Sequence, residues 1–142
     1  MSEGKEVLQA WFQRVWTEND QSAIDEMFPG DAAAQGLGGQ TLVGPDQFKE
    51  FHAALNALLS DIVMTVDKCI EADGWTSALC SMRAKVKKDG RDVHVTGNAF
   101  ARVEQGKIIE AYNHFDFPLL WMQMQLLPAD CYEKGLLGQK IG

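Results

Sequence analysis

No stretch of this sequence approaches the roughly 20 consecutive apolar residues that a membrane-spanning helix needs. The N-terminus, Met1-Ser2-Glu3-Gly4-Lys5-Glu6, does not place a basic segment before an apolar one, so no secretory leader is expected. Positive charge is in the minority: 13 Lys and Arg stand against 20 Asp and Glu, a net charge of −7. Nucleic-acid backbones and anionic membranes select basic surfaces, so neither is an expected partner. Cysteine is scarce. Cys69, Cys80 and Cys131 are odd in number, far apart and without a Cys-x-x-Cys pair, which argues against a disulfide framework or a zinc site. They read as buried free thiols in a reducing, cytoplasmic setting. There is no Gly-x-Gly-x-x-Gly, no phosphate loop ending in Gly-Lys-Ser or Gly-Lys-Thr, and no Gly-x-Ser-x-Gly elbow. His52, His94 and His114 lack close metal-ligand spacing, so no metal centre is expected.

What is present suffices for a core. Hydrophobic residues make up 46% of the 142 residues and charged ones 23%, and a single domain over 1–142 is expected. The first half is helical in period. Val7, Leu8, Trp11, Phe12, Val15 and Trp16 recur on one helical face. A second, short helix carries Ile24, Met27 and Phe28 and stops at Pro29-Gly30. Gly44-Pro45 opens a third, with Phe48, Phe51, His52, Leu55, Leu58 and Leu59 as its apolar stripe.

The second half changes period. Asp73-Gly74, Asp89-Gly90 and Gln105-Gly106 are turn signals at even spacing, and the runs between them are rich in Val, Ile, Thr and Ala. They predict four antiparallel strands, roughly 61–72, 75–88, 91–104 and 107–117. Pro118 then opens a short helix, and the glycine-rich tail after Pro128 is expected to be held loosely. Helices followed by a meander define an α+β fold with the helices on one sheet face.

Two-residue hairpin loops fix which side chains share a face. Asp116, His114 and Tyr112 then point to the same side as Gly97, Ala99, Met82 and Cys80, a floor of small residues under the helices. Phe115, Asn113, Thr96, Asn98, Phe100, Ser81, Arg83 and His94 fall on the opposite, more polar face. The arithmetic assumes unbroken strands; one β-bulge exchanges the two faces beyond it. A pocket is expected over the small-residue face, walled in part by Trp16.

Three segments carry a family resemblance: Trp11-Phe12-Gln13-Arg14-Val15-Trp16, Gly44-Pro45-Asp46-Gln47-Phe48, and Gly106-Lys107-Ile108-Ile109-Glu110-Ala111-Tyr112-Asn113-His114-Phe115-Asp116. Together they resemble the SnoaL-like polyketide cyclase family of the nuclear transport factor 2-like superfamily. The resemblance spans roughly residues 5 to 127. It implies a cone-shaped, curved antiparallel sheet wrapped around the N-terminal helices, a sheet-to-sheet homodimer and an apolar cavity. It also implies an aspartate at the position of Asp116 acting as acid–base catalyst without metal or organic cofactor. The Gly-Thr-His-x-Gly segment common on the family's middle strands is absent.

Asp116 ends an apolar strand between Phe115 and Phe117, where desolvation would hold its proton more tightly. It could equally cap the chain leaving the sheet, or pair with Arg14. His114 and Tyr112 are expected beside it as catalyst and ligand contact, with Met82, Gly97, Ala99 and Trp16 completing the ligand-binding set. The expected activity is proton transfer on a small apolar carbonyl compound. The alternative is a non-catalytic dimer that binds an apolar ligand in the same cavity.

Overall fold

The computed structural model describes residues 3–142; Met1 and Ser2, at the head of the segment read for a leader, lie outside it. Helix α1 (Glu3–Trp11) runs directly into a π-helical turn (Phe12–Thr17), followed by α2 (Ser22–Met27). Two short strands, β1 (Ala33–Gln35) and β2 (Leu42–Val43), precede α3 (Gly44–Leu58). The meander is β3 (Leu59–Ala72), β4 (Trp75–Val86), β5 (Asp92–Glu104) and β6 (Lys107–Phe115). Helices α4 (Phe117–Gln123) and α5 (Cys131–Leu136) complete the chain, so the tail after Pro128 is partly helical and Cys131 is buried. Among the described residues no helix is long and apolar enough to cross a membrane.

The six strands form one sheet in the order β2-β1-β6-β5-β4-β3. The meander is antiparallel, but β1 pairs in parallel with β6, so the sheet is mixed. Asp73-Gly74 and Gln105-Gly106 both have positive φ at each residue, as the tightest hairpin turns require. The β4–β5 connection closes earlier than expected, with the Val86 amide donating to the Arg91 carbonyl. Partners across it move by two residues, so Met82 lies opposite Val95 rather than Gly97, and the faces are unchanged.

Three register shifts do change faces. In β3 the register shifts between Val66 and Lys68, so Met64 points inward opposite Met82 while Val63 is exposed. It shifts again between Ser60 and Val63, so Leu59 and Ile62, three positions apart, are both buried. In β6 the extra residue is Ile109: Val103 pairs with Ile108, and Arg102 with Glu110. Ile108 and Ala111, three positions apart, are therefore both buried. Beyond this bulge Ala111, Asn113 and Phe115 face the helices, and Tyr112 and His114 face outward. The expected shared face of Asp116, His114 and Tyr112 is corrected accordingly.

The core lies between the concave sheet and the helices. Trp11 meets Phe48 edge-on at 5.0 Å between ring centroids, and Phe28 meets Phe48 at 5.3 Å. The π-helical turn has a partner: His52 Nε2 lies 2.8 Å from the Val15 carbonyl oxygen, which fixes that nitrogen as the donor. His52 is 1% exposed, and burial holds its pKa below the ordinary histidine value, against the opposing pull of the Val15 bond. It is a satisfied core residue.

Candidate functional site

The inner face of the sheet is floored by Ala78, Cys80, Ala99, Ala101 and Ala111, all buried. Small side chains leave volume that the helices do not fill, and a cavity of about 70 Å³ remains there. Trp11, Trp16, Phe48 and Phe51 form its helical wall. Met82, Ala99 and Ala101 form part of its floor. Phe115, Asp116 and Phe117 line it where the chain leaves the sheet.

Asp116 follows the last residue of β6, with φ −81° and ψ 72°, and caps α4. Its Oδ1 accepts from the Leu119 amide at 3.1 Å and from the Tyr132 hydroxyl on α5. The capping role weighed from the sequence is thus present, whereas the pairing with Arg14 is not. Arg14 holds Asp20 and Glu26 at 3.3 and 2.8 Å, and both carboxyls sit below the usual carboxylate range. For Glu26 the main cause is the hydrogen bond from Arg14, and for Asp20 it is that from Ser22.

Helix α4 is seated by Gln123, whose side chain pairs with the backbone of His94, accepting from its amide at 2.8 Å and donating to its carbonyl at 2.9 Å. That pairing uses the free edge of β5 beyond the end of β6. It holds the helix that Asp116 caps against the sheet.

The expected site residues divide. Asp116, Met82, Ala99 and Trp16 line the cavity. Gly97 lies on the inner face but beneath a ring: a Cβ there would stand 2.4 Å from Phe115, so its small size serves packing. Tyr112 is on the outer face, where its hydroxyl donates to Glu110 and its pKa is raised chiefly by that bond. His114 is exposed on the same face. Neither lines the cavity.

Asn113, assigned to the outer face from the sequence, is the residue that reasoning missed. It lines the cavity at 8% exposure and donates from Nδ2 to the Gln35 carbonyl at 3.0 Å. Only recognition of the bulge at Ile109 could have placed it there. Among the described residues, Asn113 and Asp116 are the only lining ones with a side-chain amide or carboxylate; Trp11 and Trp16 add indole N–H groups. Among the described residues no three His, Cys, Asp or Glu side chains are grouped to hold a metal ion.

A curved, six-stranded mixed sheet wrapped around N-terminal helices is the nuclear transport factor 2-like architecture. A family model for the SnoaL-like domain matches residues 8–111, and the chain belongs to that family. Solved structures agree on the fold. A protein from Catenulispora acidiphila DSM 44928, with a ketosteroid isomerase-like fold and in complex with trimethylamine, is 21% identical, with a TM-score of 0.76 over 88% of this chain and 95% of its own. A candidate polyketide cyclase from Bacillus cereus ATCC 10987 is 16% identical, with a TM-score of 0.78 over 88% of this chain and 82% of its own. IdmH, a candidate polyketide cyclase from Streptomyces antibioticus, is 16% identical, with a TM-score of 0.75 over 88% and 99%. No curated protein matches the sequence.

Proposed function

We propose that this protein is a cofactor-independent enzyme of the SnoaL-like cyclase or isomerase type. Asp116 would move a proton on a compact, apolar carbonyl compound held in the cavity. The observation that carries this reading is that, among the described residues, Asp116 is the only ionisable one lining a chamber whose walls are otherwise apolar apart from the Asn113 amide and the Trp11 and Trp16 indoles. Proton abstraction next to a carbonyl needs one positioned base within hydrogen-bond reach and an environment that excludes water. Oδ1 is engaged by Leu119 and Tyr132, which orient the carboxylate and leave Oδ2 for the substrate. The volume of about 70 Å³ is below the roughly 300–1,000 Å³ of most small-molecule sites, which points to a compact ligand rather than a multi-ring one.

The test is incubation of a panel of small apolar ketones and aldehydes with the native protein and with Asp116→Asn, with products read by mass spectrometry. The reading expects products from the native protein alone. Equal turnover by the variant removes Asp116 from the reaction.

One observation favours a second reading, a non-catalytic ligand-binding module. The capping bond and the Tyr132 bond are roles that a purely structural aspartate would also fill. The structure of the Catenulispora protein in complex with trimethylamine, a small molecule, supports this reading. A molecule retained through purification and recovered unchanged after long incubation would support it.

Either reading includes a homodimer through the outer sheet face. Phe100 and Leu79 are each 41% exposed there, and Trp75 stacks on Phe100 with ring centroids 4.7 Å apart. Ser77, Asn98 and His114 surround them with hydrogen-bonding groups. Exposed apolar patches of this kind, rimmed by polar groups, mark contact surfaces, and a two-fold axis would place like residues near each other.

A further inference from the structure

We propose that Asn113 is a ligand-contacting residue: its carboxamide oxygen takes a hydrogen bond from the substrate, which is therefore a carbonyl compound that also bears a hydroxyl or N–H group. The inference rests on the cavity reading above and adds the second polar group its ligand must carry.

The orientation of the amide is fixed by its partner. The Gln35 backbone oxygen can only accept, so the atom 3.0 Å from it is the Asn113 nitrogen, and Oδ1 points elsewhere. Among the described residues no donor reaches Oδ1. None of their buried side-chain oxygen or nitrogen atoms is both hidden and unpartnered, so Oδ1 borders open space. The open space that Asn113 lines is the cavity. A residue 92% buried thus turns an unused acceptor into an apolar chamber, between Ala99 opposite and Ala111 two positions earlier. Packing alone would be served by another apolar side chain at that position. Tethering Gln35 uses only the nitrogen.

The acceptor is also held rigidly. Strand β1 runs parallel to β6 at this point, and Gly36 approaches the backbone of Asn113 so closely that a Cβ on it would stand 1.8 Å from the Asn113 main-chain oxygen. The side chain cannot swing out to solvent without breaking this junction, so its oxygen is preorganised for a ligand donor. Asn113 and Asp116 are three residues apart on an extended strand, roughly 10 Å between Cα atoms. The donor-bearing end of the ligand would lie deep at Asn113 and the reacting carbon near Asp116.

Phenol and anisole test the assignment, since they differ in one donor and neither carries a carbonyl to react. Binding is followed by NMR on the methyl groups of Ala99, Ala101 and Ala111. The native protein should bind phenol about tenfold more tightly than anisole, the ratio one hydrogen bond to a buried neutral acceptor provides. Asn113→Leu should bind both alike, and Asp116→Asn should keep the preference. In the native protein, nuclear Overhauser contacts should join the phenol ring to the Asn113 side-chain amide; this measurement stands even if Asn113→Leu does not fold. Equal affinities, absence of those contacts, or a preference lost in Asp116→Asn overturns the inference. Exclusion of both probes overturns the reading of the chamber as a binding site, and the inference with it. Failure of Asp116 as a catalyst would leave the phenol preference intact.

Discussion

The hydroxyl of Tyr132 donates to Oδ1 of Asp116, tying the C-terminal helix α5 to the carboxylate that caps α4. That bond raises the Tyr132 pKa above its ordinary 10.0, and the bond to Glu110 does the same for Tyr112. A phenol whose folded pKa is raised stabilises the fold fully below its free value and loses that contribution as pH rises through the folded one. Both tyrosines should therefore ionise late in a phenolate absorbance titration. Asp116→Asn should return one of them towards 10, and Tyr132→Phe should remove that same one. An unchanged titration in Asp116→Asn would show that the two residues do not interact.

Stability should fall on acidification through His52. Burial depresses its pKa below 6.5, so as pH drops below that value the unfolded chain takes up a proton that the folded chain refuses. His52→Leu should cost about 1–3 kcal/mol at pH 7, because it leaves the Val15 carbonyl in the π-helical turn without its donor. The same variant should lose less stability between pH 7 and 5 than the native protein does. Urea denaturation at the two pH values measures both effects.

Gly97→Ala should destabilise by about 1–3 kcal/mol, the usual cost of forcing an extra methyl into a packed site. The added Cβ would meet the Phe115 ring at 2.4 Å and the His114 carbonyl oxygen at 2.7 Å, so β6 must shift or the ring must turn. Thermal unfolding reads the loss. A neutral result would mean that Phe115 has another rotamer to occupy.

The dimer can be tested at a pair of facing residues. Asn98 and His114 lie opposite each other on the outer face. Asn98→Glu with His114→Glu places like charges at the centre of the proposed contact and should yield monomers in sedimentation. A double variant that remains dimeric would move the interface elsewhere.

Much of this architecture was legible because hydrophobic period and turn chemistry are local. The stripe from Val7 to Trp16, the Gly44-Pro45 helix start and the Asp73-Gly74 and Gln105-Gly106 hairpins all lie where their residues predict. Strands β1 and β2 were obscure because their pairing with β6 and with each other is non-local and their sequence is short and small. The site was half legible. Asp116 follows a strand end and lies two residues before Pro118, and both features are visible in sequence. Its companions depended on strand parity. The extra residue at Ile109 leaves no compositional mark, since Ile108 and Ile109 suit a strand equally, yet it exchanges Tyr112 and His114 for Asn113 and Phe115. The π-helical turn was hidden likewise, because its stripe follows an ordinary helical spacing.

Hydrogen exchange next to a carbonyl tests the central claim most directly, because it needs only proton transfer and no knowledge of the natural substrate. 4-Hydroxycyclohexanone, a compact ketone that also carries a hydroxyl donor, would be followed in deuterated buffer by NMR with the native protein, with Asp116→Asn and with buffer alone. The account predicts loss of the α-proton signal faster than buffer with the native protein, and at the buffer rate with Asp116→Asn, whose fold is preserved by circular dichroism. Exchange at the buffer rate with both proteins, or equally fast exchange with both, would contradict a role for Asp116 in moving the proton.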